Sequence, residues 1–439
     1  MAERFDAIVV GSGTAGAIAS VALRKAGRSV LLVDPPGEGE ARLRPAGVAW
    51  RADPSAALKG IPGVPLERRI IERRLAFLSS EGALSIDFRD LSWASAARGG
   101  WVVEPARWEA WAMGRPVERG WTTWKGTPLE AVIADRAGRV TGIRAGGREA
   151  SATVVLLDDE SALPIAKKAG LALRVPPKPE ASASPGTLGE SVVETSIDLP
   201  LSRVDDRFGG APGRGFTVES VLGFLPPGGM GFGFVYPGRS SVHAGVVLQN
   251  RSFAGTGTSP SALLEKFLDH PATKPYVRGG VRQGTCISTL LPSGAPRSLF
   301  GEGFLLLGAA ARATAAGGIA VRGADASVAT GIAAAETASE AIAAKDPGGR
   351  VLSRYVTRLR REGILHQMGR PDERAARLKW NPRLHRAYPE LFSSLFRRMM
   401  TERSEPKQHM KDLVQASLKG SGVPYTALAR DLLAVVGSL

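Results

Sequence analysis

The apolar residues of the chain fall into two patterns: short continuous runs that suit buried strands, and longer small-residue stretches that suit helices packed closely against them. Phe5 to Val10 is a run of the first kind and ends at Gly11. Ala15 to Ala26 is an alanine-rich stretch of the second kind, closed by Gly27, and Ser29 to Val33 is again a short apolar run, ending in Asp34. The order strand, tight turn, helix, strand opens a doubly wound α/β fold. Further strands are expected around Ala131 to Ile143 and Ala152 to Leu157. Near residue 300 the run Gly303 to Leu307 reaches Gly308, a small-residue stretch follows, and a helix is expected from Asp325 to Ala344. Pro389 to Met400 sets Leu391, Phe392, Leu395, Phe396, Met399 and Met400 on one helical stripe beside Arg397 and Arg398. Such a stripe either packs on a core or lies in a bilayer interface.

The first turn carries specific chemistry. Gly11-Ser12-Gly13-Thr14-Ala15-Gly16 sits between strand and helix, and Asp34 lies 18 residues beyond Gly16. Glycines let the backbone approach a pyrophosphate, the helix N-terminus offers N–H groups and a positive dipole end, and the acid accepts from ribose hydroxyls. Gly11, Gly13, Thr14, Ala15, Gly16 and Asp34 are therefore the expected dinucleotide contacts. The alternative for Asp34 is a turn residue ahead of Pro35-Pro36. FAD is preferred over NAD because the motif opens the chain and no second nucleotide domain follows.

Length and composition set limits on this picture. The chain has 439 residues, 44% of them hydrophobic, which suits a soluble protein of two or three domains. The formal charge is +15, and residues 350–439 hold 18 Lys and Arg against 8 Asp and Glu. Such a face attracts anionic surfaces without distinguishing among them. The single cysteine, Cys286, excludes an internal disulfide and an iron–sulfur cluster held by this chain alone. The five histidines show no metal-ligand spacing, so no metal site is expected. The N-terminal residues do not read as a signal peptide and no stretch reads as a membrane span, so a cytoplasmic protein is expected, lying at most peripherally on the inner face of the cell membrane.

Four later segments carry a resemblance. Pro65-Leu66-Glu67-Arg68-Arg69 with Leu75 to Leu78, Gly228 to Tyr236 with Ser241 to Val247, Val321-Arg322-Gly323-Ala324-Asp325, and Asn381-Pro382-Arg383 with Tyr388 to Leu391 together resemble the electron-transfer flavoprotein:quinone oxidoreductases, in their shorter FixC branch. The resemblance implies an FAD enzyme that takes electrons from an electron-transfer flavoprotein and passes them to membrane quinone, working with a separate small ferredoxin-like subunit. Nucleic acid is not among the implied partners. The fold expected is α/β: a Rossmann-like FAD-binding domain from residues 1–170 and 286–345, an inserted antiparallel-sheet substrate domain at 171–285, and a basic helical C-terminal region at 346–439. Gly308, Arg312, Gly323 and Asp325 are expected at the cofactor. Arg322, ahead of the helix at Asp325, would place a cation near the flavin or the quinone path; a salt bridge to Asp325 is the alternative. Tyr236 would donate to a quinone carbonyl, or else fill a core.

The chain departs from that family's pattern at three places. Gly308-Ala309-Ala310-Ala311-Arg312 stands where the family reads Gly-Asp-Ala-Ala-Gly, so a charge-assisted hydrogen bond worth about 1.5–3 kcal/mol, or one to two decades of affinity, is missing unless Arg312 pairs with the pyrophosphate instead. Asp158-Asp159-Glu160 replaces a small residue, an acid and a glycine, and Pro105 replaces an arginine. Two rival functions remain open on sequence alone: a geranylgeranyl-reductase-like flavoenzyme acting on isoprenoid lipids, and a non-catalytic subunit with weakened FAD binding.

Overall fold

A computed structural model describes residues 3–36, 48–50, 63–80, 82–93, 100–104, 107, 110–111, 121–159, 162–168, 189–209, 213–253, 257–290, 298–311, 313, 323–365, 380–401 and 409–436. The chain opens with β1 (Glu3–Val10), α1 (Thr14–Lys25) and β2 (Val30–Asp34), the unit expected from its apolar runs. β1 pairs in parallel with β2 on one side and with the strand Arg148–Leu157 on the other. Phe304–Leu306 adds in parallel beyond Arg148–Leu157, and Trp121–Lys125 beyond β2. The hairpin Leu129–Ala134 and Val140–Ala145 extends this nucleotide sheet in antiparallel fashion.

The long helix Gly323–Ala344 packs against α1. Small residues make the approach close: a Cβ added at Gly331 would lie 2.6 Å from the carbonyl oxygen of Ala15. Between sheet and helices lies a continuous apolar core that includes Ile8, Val10, Ile18, Leu32, Leu156, Leu305 and Tyr355. Burial of this kind is what turns an alanine-rich sequence of modest hydrophobicity into a fixed helix pair.

A second, nine-stranded sheet runs in the order Val281–Leu290, Glu190–Asp198, Ser241–Gln249, Gly231–Pro237, Arg214–Leu222, Leu66–Leu78, Trp101–Val103 and Val48–Trp50, with Ala83–Arg89 also pairing to Leu66–Leu78. The sheet is predominantly antiparallel, as expected of the substrate domain, with one neighbouring pair, Arg214–Leu222 and Leu66–Leu78, running parallel. Leu66–Leu78, Ala83–Arg89 and Trp101–Val103 belong to this sheet, and its edge strand continues to Leu290. Polar anchoring ties Leu66–Leu78 to it. Arg68 is fully buried, and it donates to Asp205 at 2.5 Å, to the Arg214 carbonyl at 2.6 Å and to the Gly238 carbonyl at 3.0 Å. A buried guanidinium requires such partners, and all three lie in the second unit.

The basic C-terminal region is helical where described: a π-turn at Arg383–Ala387 runs into Tyr388–Met400, followed by Met410–Ser421 and Tyr425–Val436. Among the described residues no helix is long and apolar enough to cross a membrane.

Candidate dinucleotide site

Register brings the site together. Val10 pairs with Val33 on one side and Leu157 on the other, and Leu157 pairs with Leu306. Gly11, Asp34, Asp158 and Leu307-Gly308 therefore emerge side by side at the carboxyl edge of the parallel strands, the edge where ligands bind in open α/β sheets. Gly11 donates to the Val33 carbonyl at 2.8 Å and Asp158 to the Val10 carbonyl at 2.8 Å.

The turn requires its glycines. Gly11 has φ of 104°, and a Cβ there would lie 2.9 Å from the amide nitrogen of Asp159. A Cβ on Gly16 would sit 2.1 Å from the Gly11 carbonyl oxygen. The helix cap is Gly13, which offers no side chain, and no acid occupies the first turn of α1. Thr14 and Ala15 open the helix, and first-turn amides have no partner within it. Asp34 ends β2 nearly buried and accepts from the Ser12 hydroxyl at 2.7 Å, which fixes its carboxylate beside the glycine turn.

A second glycine turn faces the first. Gly308 has φ of 51° and donates to the Thr330 hydroxyl of the long helix at 3.1 Å, while Tyr355 donates to the Leu306 carbonyl at 2.9 Å. Burial, with the charge of Asp158 acting in the same sense, pushes the Tyr355 phenol far above its usual range, so it stays a donor. Asp158 joins the two turns. Its carboxylate accepts from the Gly16 amide at 2.8 Å and from the Ala309 amide at 3.2 Å, and its own carbonyl accepts from Ala310 at 2.9 Å. Thr330, Tyr355 and the joining role of Asp158 are not legible in sequence, since each acts on a turn far from it along the chain.

The other expected residues meet different fates. Arg312 and Arg322 lie outside the described residues, as do Pro105 and Glu160. Gly323 and Asp325 form the first turn of the long helix, and the Asp325 side chain lies outside the description. Tyr236 is 2% exposed in an apolar cluster with Phe232 and Val247, stacked on Phe234 at 4.9 Å. That placement matches the core alternative for Tyr236. The Cys286 thiol is pushed up to about 11, first by burial and then by Glu194, so it is no reactive thiolate.

The fold and the paired glycine turns define a class: α/β proteins with a Rossmann-type dinucleotide site coupled to a second sheet. Solved structures share that architecture. A geranylgeranyl bacteriochlorophyll reductase-like protein from Thermoplasma acidophilum superposes with TM-score 0.64 at 18% identity, covering 98% of this chain and 99% of that one. The myxobacterial halogenase CndH superposes with TM-score 0.59 at 18% identity, over 95% and 97%. No family model matches the chain. Protein FixC of Salmonella typhi is 30% identical over 431 residues, 97% of each chain, and the chain belongs to the FixC family. A probable electron transfer flavoprotein-quinone oxidoreductase, YdiS of Escherichia coli, is 27% identical over 96% of each.

Proposed function

We propose that the chain is an FAD-dependent oxidoreductase that takes electrons from an electron-transfer flavoprotein and delivers them to membrane quinone. The observation that carries the cofactor assignment is the glycine cradle: close backbone approach at Gly11 and Gly16, first-turn amides of Thr14 and Ala15, and a carboxylate at Asp34 beside them. These groups suit FAD. The amides and the helix dipole would hold the diphosphate, Asp34 would accept from the ribose hydroxyls, and Ser12 keeps that carboxylate oriented. Bound FAD supplies reversible one- and two-electron transfer. Thr330, Tyr355 and Asp158 hold the Gly308 turn in position beside the cradle. Gly308, Gly323, Asp325, Arg312 and Arg322 belong to the same proposed site, with Arg322 as the cation that favours a reduced, anionic state.

The choice of donor and acceptor rests on membership of the FixC family and on the likeness to YdiS. A ferredoxin-like partner subunit fits a chain whose single cysteine cannot hold a cluster. Contact with a membrane surface is supported by an edge strand. Ala83–Arg89 exposes Ile86 at 56% and Phe88 at 58%, Leu91 follows at 70%, and the adjoining helix ends in Arg397, Arg398 and an exposed Met400. An apolar set rimmed by cations suits an anionic bilayer surface.

The test is direct. The purified chain, reconstituted with FAD, is expected to show a flavin spectrum and, supplied with reduced electron-transfer flavoprotein, to reduce a soluble quinone analogue. A preparation that stays colourless after reconstitution would refute the redox reading. One that holds flavin and reduces no quinone would refute the acceptor.

A further inference from the structure

We infer that Asp158 is a built-in anionic occupant of the dinucleotide cradle and sets a ceiling on how tightly this chain holds a diphosphate-bearing cofactor. The inference rests on the proposed flavin site and concerns its affinity. Asp158 is 4% exposed, and its carboxylate lies between the two glycine turns. One oxygen accepts from the Gly16 amide in the first turn of α1, and the other accepts from the Ala309 amide. The fit is tight on three sides. A Cβ built on Gly13 would lie 2.8 Å from Oδ2, one on Gly16 3.0 Å from Oδ2, and one on Gly308 1.8 Å from Oδ1.

The consequence is electrostatic. The pole of α1 that would stabilise a diphosphate already holds the carboxylate of Asp158, which follows the strand Arg148–Leu157 and lies 142 residues from Gly16. Its charge offsets the helix dipole and repels a second anion across a short, poorly screened distance. The same carboxylate ties the Gly308 turn to the Gly16 turn, so the cradle gains order without a cofactor and loses attraction for one. Asp158 is thus a positioning and affinity-setting residue, not a catalytic one.

The experiment uses the full-length chain freed of flavin, titrated with FAD by fluorescence quenching and with ADP by calorimetry. Asp158→Ala is expected to bind both ligands at least tenfold more tightly than the wild type, a gain of ~1.4 kcal/mol. Asp158→Asn, which removes the charge and keeps one acceptor, should move in the same direction by a smaller factor. Thermal melting of the flavin-free variants should show lower stability, because the tie between the turns is lost. Equal or weaker binding of both ligands by variants that melt cooperatively would overturn the inference and leave the flavin reading intact. Tighter FAD with unchanged ADP would overturn it too, since the effect would then lie away from the diphosphate. If wild type and both variants all ignored FAD and ADP, the flavin reading would fall, and the inference with it.

Discussion

At the scale of single residues, the site depends on positions where even one methyl group does not fit. Gly308→Ala would force a Cβ to 1.8 Å from Asp158 and 2.8 Å from the Ala15 Cβ, at a left-handed φ. Overpacking and backbone strain together should cost ~2–4 kcal/mol. Melting of the flavin-free variant reads that loss, and an unchanged melting temperature would mean that the turn does not close on Asp158. His243 offers a pH signature. It is fully buried beside Ser241, and burial, with Arg107 second, lowers it from 6.5 to about 4. The folded chain refuses a proton that the unfolded chain accepts, so between pH 6.5 and about 4 stability falls as pH falls, by up to about 3 kcal/mol. His243→Gln should flatten that slope in urea unfolding while leaving the region above pH 7 parallel to the wild type. Of the site residues, Gly11 to Gly16 and Asp34 were legible because their motif is local. Asp158 registered only as a departure from a family pattern, since its partners Gly16 and Ala309 are brought to it by strand pairing.

Among the elements, the C-terminal helices show how one carboxylate can fasten a segment. Asp431 on Tyr425–Val436 accepts from Asn381 at 2.9 Å, from Arg383 at 2.8 and 2.9 Å and from Tyr388 at 2.5 Å. These bonds, chiefly those from Arg383, hold its carboxyl down at about 2. Its contribution is therefore complete above the ordinary value of 3.8 and disappears as pH drops toward 2. Asp431→Asn should weaken docking of the last helix by about 1.5–3 kcal/mol. Hydrogen exchange should then quicken in Tyr425–Val436 and not in β1 or β2; equal protection in both proteins would refute the clamp. The preceding π-turn places His385 Nδ1 2.8 Å from the Gly231 carbonyl, which ties this region to the second sheet. The stripe on Tyr388–Met400 is covered along only part of its length. Leu391 is buried and Phe392 packs edge-on against Phe77 at 5.1 Å, while Met400 is 70% exposed. Helical spacing of apolar residues reveals which face avoids water but carries nothing about which partner covers it.

For the whole molecule, the proposed membrane contact predicts a dependence on both the excess of cations and the exposed apolar edge. Binding to vesicles containing anionic lipid is expected to fall steeply as salt rises from ~0.05 to ~0.5 M, as the screening length shortens. Leu91→Glu with Phe88→Glu should weaken it further at constant salt. Binding that ignored both salt and these substitutions would remove the membrane face from the proposal. The sequence by itself determined the opening strand–turn–helix–strand unit, the strand before Gly308 and the helix ending at Ala344, because each is written in neighbouring residues: an apolar run, a glycine with no room for a side chain, a small-residue helix. Only the tertiary structure decided that Leu66–Leu78 joins the second sheet, that Tyr236 lies in a core and that Asp158 reaches into the cradle. Each of those outcomes depends on which distant strand or turn supplies the partner, and pairing energy between segments far apart in the chain leaves no local period to read.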